Sequence, residues 1–193
     1  MKALSLWQPY ASLAAARAKR VETRDWNTEH RGPLAIHATA SVPEPYRSAY
    51  ETMVHREPFD RWRRALGYSS LAAFPHGAIV GLVHVTSVVR LGPLVTETIR
   101  RSNGSDEIAF GNYDEGRYGW ALDDDAILLP RPVPCRGERR IWTLPLDAER
   151  AIAEQLRHYP SLARAHPRWE SDLRLYERAA TTPSTQDHGP PQD

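Results

Sequence analysis

The chain has 193 residues, of which 41% are hydrophobic and 25% charged, and its formal net charge is +1 at pH 7. This composition is typical of a soluble folded chain and excludes wholesale disorder, while the balanced charge excludes the overall basic excess that by itself indicates a nucleic-acid binder. No apolar run reaches the roughly 18 residues that span a bilayer, and the single Cys135 cannot form an internal disulfide, so we expect a cytoplasmic protein without membrane contact.

The first forty residues combine strand and helix patterns. Alternating apolar residues predict strands over residues 3–6, 21–26 and 34–38. Pro9 stands at a favourable first helical position, and apolar residues follow it at helical spacing to about Ala18. Residues 41–72 are polar and arginine-rich, with aromatic residues at near-helical intervals. We interpret them as one or two inserted helices with a peripheral role.

The strongest strand signal is the run of β-branched residues at 78–89, which we place at the centre of a sheet. Further strands are predicted over residues 118–122, 127–129 and 141–144, whereas the Asn-Gly-Ser-Asp segment at 103–106 predicts a loop. Six or seven short strands with two early helical segments indicate an α+β fold, a small mixed β-barrel with flanking helices.

After Pro145 the apolar spacing becomes helical. It predicts two C-terminal helices that pack on the barrel, the first capped by Asp147 and the second following Pro167. The last residues contain no large apolar side chain, which is typical of a disordered tail. The predicted divisions are a main domain, a C-terminal helical extension and a tail, at residues 1–146, 147–179 and 180–193.

Several kinds of chemistry are excluded by missing motifs. The sequence contains no glycine-rich phosphate loop, no pair among its eight histidines at metal-ligand spacing, and no Ser/His/Asp set. We therefore expect neither a metal nor a cofactor. The run Asp123–Asp125 is interpreted as a charged turn at the end of a strand.

Polar and aromatic side chains are concentrated in residues 1–40, where six basic residues stand against three acidic ones. Strand alternation places Glu22 and Arg24 on one face and Thr23 on the other. A carboxylate and a guanidinium inside a barrel are costly unless they pair with each other or with a ligand, so they form either a structural ion pair or a site. Lys19 is one of only two lysines in the chain, and its amine, unlike a guanidinium, is able to lose a proton.

Four segments carry a family resemblance. They read SLWQPYASL at 5–13, KRVETRDW at 19–26, RGPLAIHA at 31–38 and GAIVG at 77–81. With the strands near 118–122 and 134–142, they resemble the ASCH domain (activating signal cointegrator homology) over roughly residues 1–146. The family pattern G-x-K-x-x-E-x-R is matched except that Arg17 stands at the glycine position, so we expect a different turn after the first helix.

The resemblance implies a PUA-like fold with a cleft beside the strand of Lys19, Glu22 and Arg24. The ligand it implies is RNA, another single-stranded nucleic acid or a modified nucleobase. The two cations would contact phosphate or a base edge, Glu22 would accept from an exocyclic amine, and aromatic rings would stack on a base. The residues predicted to bind ligand are Trp7, Gln8, Tyr10, Lys19, Glu22, Arg24, Trp26 and His37. For the three rings and the histidine, ordinary core packing is the competing interpretation.

The resemblance also implies an enzymatic alternative, because related proteins include amidohydrolases that act on N4-acetylcytidine and ribonucleases. In this alternative Lys19 and Glu22 are the catalytic residues of a hydrolase acting on N4-acylated cytidine or on RNA. The small amidohydrolases carry a threonine at the position of Glu22, and a carboxylate cannot replace that hydroxyl nucleophile. Glu22 would instead act as a base on water, with Lys19 as its electrostatic partner.

Overall fold

The computed structural model of the protein describes residues 1–159 and consists of a mixed sheet with helices on both faces. The strands are β1 Lys2–Leu6, β2 Val21–Arg24, β3 Gly32–Ala38, β4 Ala78–Arg90, β5 Tyr118–Leu122, β6 Ile127–Pro134 and β7 Ile141–Thr143. The helices are α1 Tyr10–Ala15, α2 Arg47–Val54, α3 Phe59–Ala65, α4 Pro93–Asn103, α5 Ser105–Ala109 and α6 Leu146–His158, with a short 3-10 helix at Leu71–Ala73. Within residues 1–159, no helix has both the length and the apolar character needed to cross a membrane.

The sheet is organised around β4, the long β-branched strand that was predicted to be central. The strand order is β2-β5-β4-β3-β1-β7, and β6 also pairs with β4. β1 and β3 are parallel, whereas the other pairs are antiparallel. β6 continues to Pro134, past its predicted end at residue 129, because its only pairing among the described residues is with β4, and prolines are tolerated in such an edge strand.

The sheet does not close into the predicted barrel. β2 and β7 are its two ends, and within the described part of the chain no pairing joins them. At the β2 end, the Glu107 carboxylate of α5 accepts hydrogen bonds from the amides of Arg20 and Val21 at 2.7 and 3.1 Å. These bonds satisfy the start of β2 without another strand. The α+β class is confirmed, as a mixed sheet with helices beside it.

Each face of the sheet has its own apolar core. One is completed by alanines of α1 and the other by residues of α6, namely Ala11, Ala14 and Ala15, and Ala148, Ile152 and Leu156. α1 lies so close to β4 that a Cβ on Gly81 would be 2.4 Å from the Cβ of Ala15. The first C-terminal helix is thus present as α6, although its N-cap is Pro145 and not Asp147. The helix predicted after Pro167 and the predicted tail lie outside the described residues.

The segment between β3 and β4 is not peripheral, contrary to expectation. It forms α2, α3 and the short 3-10 helix around a cluster of buried residues that comprises Val42, Val54, Leu71 and Phe74. A second cluster joins Phe59 of α3 to Leu13 of α1 and to Phe110 after α5. The insertion therefore packs against the elements that surround the N-terminal motifs.

Helices α4 and α5 were not predicted, since residues 103–106 were interpreted as a loop. The structure has only Gly104, with a φ of 91°, between the two helices. No residue of α4 is buried, so this helix adds nothing to the apolar cores of the sheet. Pro93 at the start of α4 is the signal that would have located its beginning.

The turn after α1 is left-handed at Arg17, which has a φ of 63°. This is the conformation that glycine adopts most readily. Arg17 thus adopts the backbone geometry that a glycine would favour, and it stands at the glycine position of the family pattern. The turn is closed by the amides of Ala18 and Lys19, which both donate to the carbonyl oxygen of Leu13, and it directs the chain into the segment that contains Lys19.

We expect Arg17→Gly to be more stable than Arg17→Ala by about 1 kcal/mol, because only the glycine variant relieves the left-handed strain. Both variants remove the exposed contact between Arg17 and Asp124, so their difference isolates the backbone effect. Urea unfolding of the two variants measures this difference. Equal unfolding free energies would show that the turn carries no strain.

Candidate functional site

A pocket of about 330 Å³ lies where β1, α1, β2, α2 and the loop after α5 meet. Its volume is within the range of small-molecule sites. Five of the residues predicted from the sequence line it together, namely Trp7, Tyr10, Lys19, Glu22 and Arg24. The structure therefore brings the predicted polar residues of β2 and two of the predicted aromatic rings to one place.

Lys19 is buried at the base of this site, with 2% of its surface exposed. Its ammonium donates to the carbonyl oxygens of Val21 at 2.7 Å and Phe110 at 2.6 Å, and it lies 3.4 Å from Oε2 of Glu22. Two hydrogen bonds and one ion pair therefore engage the ammonium group within the protein. Lys19 thus holds the surrounding structure in place, with two of its three N–H donors hydrogen-bonded to backbone oxygens.

The Glu22 carboxylate lies between two cations and is 6% exposed. Its Oε1 is 2.9 Å from Nε of Arg24, while its Oε2 faces Lys19. Arg24 also donates from Nη2 to the carbonyl oxygen of Ser5 at 3.0 Å. Because a carboxylate has about four lone-pair positions, these contacts leave acceptor positions on Glu22 for a ligand in the pocket.

Aromatic rings form one wall of the pocket. Tyr50 of α2 packs edge-on against Tyr10 at 5.9 Å and against Trp7 at 5.7 Å between ring centroids. Burial raises the pKa of Tyr10, and the neighbouring Tyr50 and Glu22 raise it further. The Tyr10 hydroxyl therefore remains protonated at physiological pH. The wall offers flat apolar surface beside the Glu22 carboxylate.

The loop after α5 closes the opposite side of the pocket. A Cβ on Gly111 would lie 2.9 Å from Oγ1 of Thr23 and 3.2 Å from Nζ of Lys19. The next amide, of Asn112, donates to the Thr23 hydroxyl at 3.1 Å, and Arg117 donates to the Asn112 carbonyl oxygen at 3.2 Å. Strand alternation placed Thr23 on the other face of β2 from Glu22 and Arg24, yet Thr23 also lines the pocket. The reason is that the loop after α5, which closes the pocket, contacts the Thr23 hydroxyl.

Glu107 fixes the same loop from behind. It is 1% exposed, and besides the two amides at the start of β2 it accepts a hydrogen bond from the Tyr113 hydroxyl at 2.8 Å. Burial raises the pKa of Tyr113, and the Glu107 carboxylate adds to this effect. Tyr113 therefore stays a donor, and the three bonds hold α5 and its loop against β2.

Two of the predicted binding residues, Gln8 and Trp26, lie outside the pocket. Gln8 is fully buried; its amide nitrogen donates to Oγ of Ser12 at 2.9 Å and to the carbonyl oxygen of Pro75 at 2.8 Å. Trp26 packs edge-on against Trp120 at 4.7 Å. The polar group of Gln8 and the ring of Trp26 are thus engaged within the protein.

His37 also lies outside the pocket, but it contacts a residue that lines the pocket. Its ring nitrogens contact Oγ of Ser5 at 3.1 Å and the carbonyl oxygen of Cys135 at 2.9 Å, and Ser5 lines the pocket. Burial lowers the pKa of His37, which the bond to Cys135 partly offsets. The imidazole is therefore neutral at pH 7 and packs against Trp142.

The sequence interpretation missed the lining residues that come from α2 and from the loop after α5. Tyr50 belongs to the aromatic series of the insertion, which was visible but was assigned a peripheral role. Phe110, Gly111 and Arg117 reach the pocket from about ninety positions along the chain, and no local pattern connects them with Lys19.

Among residues 1–159, no group of three or more His, Cys, Asp or Glu side chains is arranged to hold a metal ion. In the acidic run at 123–125, Asp124 instead contacts the guanidinium groups of Arg17 and Arg20 at 3.1 and 3.5 Å. This contact is what a charged turn at the end of a strand would make.

We expect Lys19→Ala to lower the unfolding free energy by about 3–5 kcal/mol, because it leaves buried acceptors without their donor. The chain offers a matched control in its other lysine, Lys2, whose ammonium bonds the exposed Thr143 hydroxyl at 2.9 Å. Lys2→Ala should cost less than about 0.5 kcal/mol. Urea unfolding compares the two; similar losses would contradict the structural role assigned to Lys19.

The chain is similar to known proteins over different parts of its length. A family model described as the ASCH domain matches residues 4–118, which include all the pocket residues named above. Activating signal cointegrator 1 from Homo sapiens is 57% identical over 42 residues, and the Mus musculus protein is 55% identical over 42 residues. The matched segment is 22% of this chain and 7% of either relative, so the chain matches a small part of these proteins.

Solved structures of ASCH proteins from Zymomonas mobilis are also similar. One ASCH structure has a TM-score of 0.46 and 12% sequence identity, and covers 79% of this chain and 93% of its own. A mutant of that protein has a TM-score of 0.46 and 14% identity, and covers 79% of this chain and 96% of its own.

Proposed function

Because the chain belongs to the ASCH domain family, we propose that its pocket binds one base of RNA or of another single-stranded nucleic acid, or a modified nucleoside. The observation that carries this proposal is the buried Glu22 carboxylate, which lies between two cations and beside aromatic rings in a single pocket. A ligand that fits must be flat and must present N–H donors to the carboxylate.

A nucleobase meets both requirements. Carboxylates accept hydrogen bonds from exocyclic amines such as the N4 amine of cytosine, and Glu22 has acceptor positions left for such a donor. A phosphate would be repelled by the same carboxylate, so the base enters the pocket and the phosphate stays outside. Arg24 and Arg117, which also line the pocket, supply the positive charge for that phosphate.

The aromatic wall supplies the second part of the binding energy. Stacking of a base on an aromatic side chain contributes about 1–3 kcal/mol and tolerates different bases. Trp7, Tyr10 and Tyr50 line the pocket and offer such surfaces. A base inside a duplex cannot reach a pocket of this kind, whereas an unstacked base can, so the ligand is single-stranded or a free nucleoside.

Lys19 has an indirect role in this proposal. The resemblance implied that it contacts phosphate or a base edge, but its ammonium donates to the carbonyl oxygens of Val21 and Phe110 and lies 3.4 Å from the Glu22 carboxylate. It therefore positions the carboxylate and compensates part of its charge. We assign ligand contact to Glu22, Arg24 and the aromatic wall.

We expect Glu22→Gln to weaken binding at least tenfold, because a neutral amide offers fewer acceptors than the carboxylate it replaces. Isothermal titration with the four common nucleosides, N4-acetylcytidine and a single-stranded RNA oligonucleotide measures this loss. Glu29→Gln is the control, since Glu29 is exposed and does not line the pocket. Failure of every one of these ligands to bind wild type, or equal affinities for wild type and Glu22→Gln, would contradict the proposal.

A hydrolase acting on N4-acylated cytidine or on RNA is the second candidate. It is favoured by the Glu22 carboxylate, which lies in the same pocket as the Lys19 ammonium and the Thr23 hydroxyl. With an N4-acylated cytidine, Glu22 would take a proton from water as the water oxygen attacks the acyl carbon. The bond from that carbon to N4 would then break, the proton would pass to N4, and a carboxylic acid and cytidine would leave. Arg24 would stabilise the developing oxyanion.

Incubation with N4-acetylcytidine and with single-stranded RNA, each with and without a divalent metal, separates the two candidates. We expect binding without turnover. Turnover that is lost in Glu22→Gln and kept in Thr23→Ala would make Glu22 the base of a hydrolase. Turnover that is lost in Thr23→Ala would instead make the hydroxyl the nucleophile.

A further inference from the structure

We propose that Tyr46 and Trp7 form a stacking platform for the nucleotide adjacent to the one in the pocket. The ligand is then a single-stranded segment of at least two nucleotides and not a free nucleoside. This inference rests on the proposed function, because the platform begins at the wall of the same pocket.

The aromatic rings continue without a break from the pocket to the surface. Tyr10 contacts Tyr50 at 5.9 Å, Tyr50 contacts Trp7 at 5.7 Å, and Trp7 contacts Tyr46 at 5.5 Å between ring centroids. The first two contacts are edge-on, whereas the planes of Trp7 and Tyr46 are inclined by only 34°. Trp7 is the shared member, since it lines the pocket and also contacts the outer ring.

Tyr46 has a face available for such a contact. It is 52% exposed, although it is an aromatic side chain directly before α2. The buried cluster of the insertion includes Trp7 and Tyr50 as partly buried members, and within the described residues Tyr46 is not among them. Core packing therefore accounts for Trp7 and Tyr50 but not for the position of the Tyr46 ring.

Stacking on this ring fits a second nucleotide for a chemical reason. Every base presents a π-face, so an aromatic platform binds neighbouring bases without a fixed sequence, while the enclosed Glu22 site reads one base by its hydrogen-bond donors. A nucleoside has only one base and cannot occupy both positions. The pocket thus selects one base by its hydrogen-bond donors, and the platform binds the neighbouring base of the same strand by stacking.

Affinities for tetranucleotides and for single nucleotides test this division. The probes are single-stranded RNA tetranucleotides of one base and the matching nucleoside 5′-monophosphates, titrated into wild type, Tyr46→Ala, Tyr46→Leu and Tyr46→Phe. We expect wild type to bind the preferred tetranucleotide at least tenfold more tightly than its monophosphate. The Ala and Leu variants should lose about tenfold for the tetranucleotide and less than twofold for the monophosphate.

Tyr46→Phe keeps the ring and should retain both affinities, which shows that the hydroxyl is not required. Comparison with Tyr46→Leu separates stacking on the ring from apolar volume. Tyr159→Ala removes another exposed tyrosine, 36% exposed at the end of α6, and should change neither affinity. Urea midpoints confirm that each variant is folded.

Four results would overturn the inference. Equal affinities of wild type for tetranucleotide and monophosphate would leave the pocket proposal standing and remove the platform. An equal loss of affinity for tetranucleotide and monophosphate in Tyr46→Ala would show that the ring belongs to the pocket itself. Unchanged tetranucleotide affinity in that variant would show that the ring binds another partner, such as a peptide. Absence of binding by both kinds of ligand would overturn the pocket proposal together with this one.

Discussion

The burial of the Lys19 ammonium is the constraint on which the rest of the site depends. A buried cation needs compensating partners, and Lys19 has them in the carbonyl oxygens of Val21 and Phe110 and in the Glu22 carboxylate. One of these acceptors belongs to a loop some ninety residues away in sequence. The pocket can therefore form only when α5 and its loop are docked, and the charge that holds the loop also orients the carboxylate that faces a ligand.

The loop that Lys19 holds in place also lies along the open edge of the sheet at β2. A strand at the edge of a sheet must have its free edge covered, and here Glu107 and the loop at Asn112 cover β2 by hydrogen bonds to backbone amides and to Thr23. An additional strand in this place would displace the wall of the pocket. The free edge of β2 is thus one border of the site. The buried acid Glu107 of α5 covers this edge, and the buried acid Glu22 of β2 lines the pocket.

β1 and β2 were predictable because each presents a two-residue period, and β4 because of its continuous run of β-branched residues. The contact of Glu22 with Arg24 followed from the alternation in β2. α4 was not predicted from the sequence, and none of its residues is buried in the structure. The sequence also could not distinguish polar residues that bind a ligand from those satisfied internally. Gln8 and His37 belong to the recognised segments, but Gln8 bonds the carbonyl oxygen of Pro75 and His37 that of Cys135. The tertiary structure alone creates these two contacts.

The helical insertion has a consequence for how such a protein diversifies. Residues 41–76 leave the sheet after β3, return at β4 and carry their own buried cluster. They place Tyr50 in the lining of the pocket and Tyr46 against Trp7 beside it. Neither tyrosine belongs to the buried cores on the two faces of the sheet. Substitution at these two positions is therefore a route by which the ligand can change while the charged residues of β2 stay the same.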